Sequence, residues 1–262
     1  MEAELDQSLA TQLRQGEFIW LDLPGHRVGA VHTPASARVQ QKGGLILLHD
    51  RGHNPDWPGL MRPLRIGLAR AGWESLAVQM PMSAVDAPAA LLDRDRKEAL
   101  ARIAAAVNWF KGHKVFNLPL IGHGLGAAYA LAYLESVQAP SGQLVAAPVT
   151  EPRIAALVLI GILLPAPLRT GLLAGMETLE TPILDLYGSR DYAAVLAQAG
   201  VRLEAGRQAR NSHYQQFRFP LAGHDFDTLQ APLVQRLRGW LDRVAPAREI
   251  PTAKDTEQKP VP

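Results

Sequence analysis

The sequence predicts an α/β fold: a doubly wound, mostly parallel sheet that begins with an antiparallel hairpin and carries no large lid domain. Three observations point there. Apolar runs suited to strands alternate with segments at helical spacing along most of the chain, the pattern of βα units whose strands lie parallel. Several strands are apolar at successive positions, as in GGLILLHD (43–50) and AALVLIG (155–161), which fits strands covered on both faces. The first two strands differ, because EFIWLDL and HRVGAVHTP alternate apolar and polar residues around Pro24-Gly25, as a hairpin does.

Each element follows from its local pattern. Residues 3–14 read as a short amphipathic helix ahead of the hairpin. After the strand at 43–50, a helix is expected over 57–71, stopped by Gly72, and WESLAVQMP supplies the next strand. From Pro88 to about Lys111 the pattern is helical, with Leu91, Leu92, Leu100, Ile103, Val107 and Phe110 on the apolar side. The run DRDRKE (93–98) within it reads as a solvated face. LIGHGLGAAYALAY (120–133) passes from a short strand through glycines into an alanine-rich helix. A polar loop at 139–153 leads to AALVLIG, a short Leu-rich helix and the strand-turn TPILDLYGSRD. A helix over roughly 191–207, the strand YQQFRFP and a helix over 228–243 complete the domain. The expected organisation is an N-terminal helix in 1–16, one domain over 17–244 and a disordered tail over 245–262, where Pro, Lys, Glu and Thr replace apolar residues. Between Ile160 and Thr181 there is too little chain for a large lid.

Composition narrows the function classes. The chain has 262 residues, enough for a substantial core, with 47% hydrophobic and 20% charged residues, as in globular proteins. A pI near 9.0 looks basic, but the formal charge is only +2. No Lys/Arg stripe interleaves with aromatics, so nucleic acid is not an expected partner. No apolar run reaches the roughly 18 residues of a membrane span. Cysteine is absent, which excludes disulfides, thiol chemistry and Cys-ligated metals. The start MEAELDQSLA shows no signal-peptide pattern, which fits either a cytoplasmic start or a chain whose export signal has been removed.

The informative stretch is the turn at 122–126. In G-x-S-x-G a strand-to-helix turn presents a nucleophilic serine. Here the residues are Gly122, His123, Gly124, Leu125 and Gly126, so glycine stands at the serine's place. Such a turn forces its central residue toward positive φ, which glycine adopts without cost.

Four motifs in order resemble the α/β-hydrolase superfamily over about residues 17–243. LILLHDRGH resembles the post-strand loop that supplies an oxyanion-hole N–H, although Asp50 stands where glycine is usual. GHGLGA resembles the nucleophile elbow, LYGSRD the turn that carries the acid, and LAGHDF the late loop that carries the catalytic histidine. The resemblance implies Asp191 and His224 as acid and base, Gly124 as a vacant nucleophile position, and the N–H groups of Leu125 and Arg51 as oxyanion donors. It implies that Asp50 opposes an oxyanion and that His123 holds the turn. PDWPG together with GHGLGAAYALAY, LDLYGSRD and GHDF is similar to a bacterial hydrolase-like family known only as a domain of unknown function. That family is usually exported, which implies a periplasmic protein with its signal removed.

Four of the eight histidines, His49, His53, His123 and His224, fall near the C-terminal ends of expected strands, where open α/β sheets collect ligands. With Asp50 and Asp191 they offer a His/carboxylate set, but no metal-binding spacing such as H-E-x-x-H is present, so neither metal nor cofactor is expected. Trp57 and Trp73 read as packing, and Asp185, inside an apolar strand, requires a partner. Two functions follow: a pseudo-hydrolase that binds a small molecule or protein, or an enzyme whose His224–Asp191 pair activates water or a substrate proton directly. On sequence, serine at 124 supplies the missing group.

Overall fold

A computed structural model describes residues 2–82, 84, 88–137, 151–208 and 213–247. Most of the polar loop at 139–153 and of the tail at 245–262 lies outside the described residues. Helix α1 (Glu2–Gln12) precedes the hairpin β1 (Glu17–Leu23) and β2 (His26–Thr33). There follow β3 (Gly43–Leu48), α2 (Met61–Ala69), β4 (Trp73–Val78), α3 (Ala89–Gly112), β5 (Asn117–His123) and α4 (Leu125–Val137). The second half runs β6 (Arg153–Ile160), α5 (Ala166–Met176), β7 (Ile183–Gly188), α6 (Ala193–Gln208), β8 (Tyr214–Phe219) and α7 (Gln230–Val244).

The eight strands form one sheet in the order β1-β2-β4-β3-β5-β6-β7-β8. β1 and β2 pair antiparallel, β2 meets β4 antiparallel, and every pair from β4 to β8 is parallel. The apolar runs explain the layering. Along β3, Leu45 and Leu47 face α2 and α7, while Ile46 and Leu48 face α3 and α4. Along β6, Val158 and Ile160 join the first layer and Leu157 and Leu159 the second. Over these runs β3 and β6 therefore bury both faces, which is why neither face carries polar residues there. α4 is buried at every position from Leu125 to Leu134, and its alanines let it lie close to the sheet.

Two local departures have simple causes. α2 starts at Met61 rather than 57, because NPDWPG folds into turns: Trp57 N–H donates to the Asn54 carbonyl, and the Asn54 side chain accepts from Asp56 N–H. Pro58 has no N–H and Gly59 disfavours a helix, so the first regular turn waits. In DRDRKE the outer charges pair with one another, Arg96 and Lys97 both with Asp93, but Asp95 is buried rather than solvated. Asp185 has its partner. Arg202 of α6 donates through Nε at 2.8 Å, and Tyr214 Oη and Gln216 Nε2 donate at 3.0 and 2.9 Å. The fully buried carboxylate is thus paired with a cation from α6.

Candidate functional site

Sheet register sets the site. β3 lies parallel to β5 with Leu48 opposite Gly122, so two residues further on Asp50 comes level with Gly124. Asp191 follows β7, and His224 lies between β8 and α7. All four therefore meet where the parallel strands end, the edge at which such sheets gather ligands.

The junction from β5 to α4 is tight. Gly124 has φ +53°, the left-handed conformation that glycine takes freely. A Cβ at Gly126 would run into the carbonyls of Leu48 and His49, so the start of α4 rests on the end of β3. A Cβ at Gly124 would fall on the Asp50 carboxyl group itself. The space that a serine side chain needs is filled by Asp50.

Asp50 is held there by two bonds. Its Oδ1 accepts from Leu125 N–H at 2.6 Å, and its Oδ2 accepts from His224 Nε2 at 3.0 Å. On the other side His224 Nδ1 donates to Asp191 Oδ1 at 2.7 Å. Asp191 also accepts from Tyr192 N–H at 2.8 Å and Gly188 N–H at 3.2 Å, which fixes its carboxylate. Two carboxylates facing both ring nitrogens require both nitrogens to donate, so His224 is an imidazolium. Burial alone would lower its pKa, but the bonds to Asp191 and Asp50 prevail and raise it to about 9. For Asp50, burial works against ionisation. The bond from His224, the charge near it and the Leu125 N–H outweigh burial and hold the carboxyl well below its usual range.

The remaining expected residues fall into place around this ion triplet. His49 is buried and neutral: burial pushes its pKa down to about 4, its Nδ1 donates to the Asp50 carbonyl at 2.7 Å, and its Nε2 accepts from Met80 N–H at 2.8 Å. It is a strut that fixes the loop carrying Asp50. His123 is fully buried, and its Nε2 donates to the His224 carbonyl at 3.1 Å. Leu125 N–H, expected as an oxyanion donor, is taken up by Asp50, and among the described residues no hydrogen bond joins Arg51 to the cluster.

Sequence reasoning did not single out Tyr192, Gly161 or Asp225. Tyr192 stacks on His224 with ring centroids 4.2 Å apart, and the His123 ring, tilted by 33°, lies 4.4 Å from it. His53 continues the column at 5.7 Å from His123, and Trp57 closes it at 4.1 Å from His53, while also packing, partly buried, against the core between the sheet, α2 and α7. Gly161 leaves room behind the His224–Asp191 pair, where a Cβ would press on both. Asp225 lies 3.7 Å from His53. Tyr192 and Asp225 each adjoin a motif residue in sequence, the one signal that could have found them.

A strand order of this kind, with its polar residues gathered beyond the parallel strands and no large insertion over them, defines an α/β-hydrolase fold. The chain belongs to the family described as "Protein of unknown function (DUF3530)", whose model matches residues 1–93 and 83–243. No curated protein matches the sequence. Among solved structures it is similar to a dienelactone hydrolase from Anabaena variabilis, at 17% identity and TM-score 0.66 over 88% of this chain and 98% of that one. It is similar to Est1E from Butyrivibrio proteoclasticus, at 13% identity and TM-score 0.64 over 87% and 98%. A third is a lidless a/b serine hydrolase from Xanthomonas campestris, at 16% identity and TM-score 0.65 over 90% and 98%. Identities this low speak for the fold alone. No helix among the described residues is long and apolar enough to cross a membrane.

Proposed function

We propose that this chain is a pseudo-hydrolase: a hydrolase-fold protein without serine-type acyl transfer, which works by binding a small molecule or a protein. One observation carries this reading, the Asp50 carboxylate seated where the nucleophile's side chain would be. It withdraws three requirements at once. Glycine at 124 offers no nucleophile. The Leu125 N–H, the donor an oxyanion would use, already serves a carboxylate. His224, protonated on both nitrogens, has no lone pair with which to take a proton.

The alternative, in which the His224–Asp191 pair activates water, draws support from the 2.7 Å bond between the two. It needs an unprotonated Nε2 open to water, and Asp50 keeps a proton on that atom. Fold likeness to esterases does not decide between them, because function resides in the site.

The test pairs a serine-directed phosphonate probe with a broad ester and thioester panel, and adds native mass spectrometry for retained ligands. We expect no covalent label, no turnover that depends on His224, and mass shifts from bound molecules. Labelling of any residue in this cluster, or turnover abolished by His224→Ala, would overturn the proposal.

A further inference from the structure

Beside the ion triplet lies a second set of polar atoms that the triplet does not use. We propose that His53, His123 and Asp225 bind a divalent transition-metal cation of the zinc class, with at least one coordination position left open. The three residues come from separate segments: His53 from the loop after β3, His123 from the end of β5, Asp225 from the loop before α7. One nitrogen or oxygen from each lies within 4.8 Å of the other two. A tetrahedral zinc ion with bonds of roughly 2.0–2.1 Å holds its ligands roughly 3.3 Å apart. A contraction of that size needs only small side-chain rotations of His53 and Asp225, which are partly exposed at 14% and 28%.

His123 is the observation that points to a ligand. Its ring is fully buried, and Nε2–H donates to the His224 carbonyl. In a neutral imidazole the proton on Nε2 leaves a lone pair on Nδ1. That Nδ1 is buried, and no group among the described residues bonds to it. A backbone carbonyl that fixes the tautomer and aims the other nitrogen is the support that metal-bound histidines receive. His53 Nδ1 and Asp225 Oδ1 are also buried without a hydrogen-bond partner among the described residues. An unbonded buried polar atom on each of three clustered residues is costly for a folded protein unless something binds there.

Two imidazoles and one carboxylate suit zinc and its neighbours, whereas calcium and magnesium prefer all-oxygen sets. A competing trio, Asp50, His123 and His224, meets the same distance limit. There, however, the Asp50 oxygens and both His224 nitrogens are already bonded. The expectation of no metal rested on sequence spacing, which does not register ligands drawn from three distant loops.

The proposal is independent of whether the protein is catalytic. Untagged full-length protein, treated with chelator and desalted, is titrated with Zn²⁺ by calorimetry and with Co²⁺ by visible absorption. One Zn²⁺ per chain with a dissociation constant in the micromolar range or tighter is expected, and a Co²⁺ band typical of low coordination. His53→Ala and Asp225→Asn, both at the rim of the core, should each weaken Zn²⁺ binding by at least about tenfold while circular dichroism stays unchanged. Ca²⁺ should not compete. Absence of stoichiometric binding overturns the proposal. So does binding that survives both rim substitutions, and so does binding lost in Asp50→Asn but kept in Asp225→Asn, which would move the ion to the competing trio.

Discussion

Gly124→Ser restores the missing hydroxyl on paper, yet the structure predicts that it fails alone and succeeds only with Asp50→Gly. The serine Cβ would land on the Asp50 carboxyl group, so that group must leave both Leu125 N–H and His224. Parting a buried charged pair costs roughly 3–5 kcal/mol. Placing a side chain at φ +53° adds roughly 1–3 kcal/mol. The single variant should therefore lose on the order of 4–8 kcal/mol, comparable with the whole stability of many domains. Removing Asp50 changes the sign of the second step. With its acceptor gone, His224 keeps only Asp191 and its pKa falls toward the usual value, so that it can shed a proton and face the serine as a base. Asp50→Gly should thus destabilise the parent but stabilise the Gly124→Ser background, a coupling of at least about 2 kcal/mol. Urea unfolding of the four proteins measures it. Hydrolysis of a small activated ester should rise only in the double variant and vanish on adding His224→Ala. Additive stabilities, or a single variant as stable as the parent, would refute the placement of Asp50. A folded double variant without activity would refute the view that only nucleophile and plug separate this site from an esterase.

Stability should depend on pH with a maximum near 6.5. His224, raised to about 9, contributes stability that is complete below about 6.5 and lost as pH rises through 9. His49 and His123, lowered by burial to about 4 and about 3, contribute stability that is present above about 6.5 and lost as pH falls through those values. Because at least two histidines act on the acid side and one on the alkaline side, the acid limb should be about twice as steep, with each proton worth up to about 1.4 kcal/mol per pH unit. A thermal-unfolding series across pH 4–10 checks this, and a flat alkaline limb would contradict the imidazolium. NMR of the imidazole protons should show His224 carrying both N–H groups at pH 7. At a distance from the site, Arg202→Ala should cost roughly 3–5 kcal/mol in urea unfolding, because it strands the fully buried Asp185. Asp185→Asn, which strands the equally buried Arg202 guanidinium, should cost a similar amount.

The fold was legible because each element had a local cause. The alternating hairpin, the doubly apolar β3 and β6, and the glycines at 122–126 all depend on neighbours in sequence. So did the partner of Asp185, in kind: a carboxylate in an apolar strand demands a cation, although only the packing of α6 on β7 selects Arg202. Boundaries set by proline and turn chemistry, such as the late start of α2, were less legible, since a helical periodicity continues through residues that hydrogen-bond as turns.

The site was half legible for a different reason. Sequence order brings the turn, acid and histidine motifs to one edge, but says nothing of what side chains do across strands. Asp50 could be recognised as foreign to an oxyanion loop, whereas its actual place required the β3–β5 register that sets Leu48 against Gly122. With that register the two departures from the hydrolase pattern become one. Glycine at 124 leaves room above the turn, and the carboxylate at 50 fills it, taking up both the donor and the histidine that a nucleophile would have used. Neither change makes physical sense alone. Glycine with glycine at 50 would leave a buried N–H and a histidine without partners, and aspartate facing a serine would collide with it. The pair together gives a bonded ion triplet, and under the pseudo-hydrolase proposal the site is rebuilt around a carboxylate and not merely short of a serine.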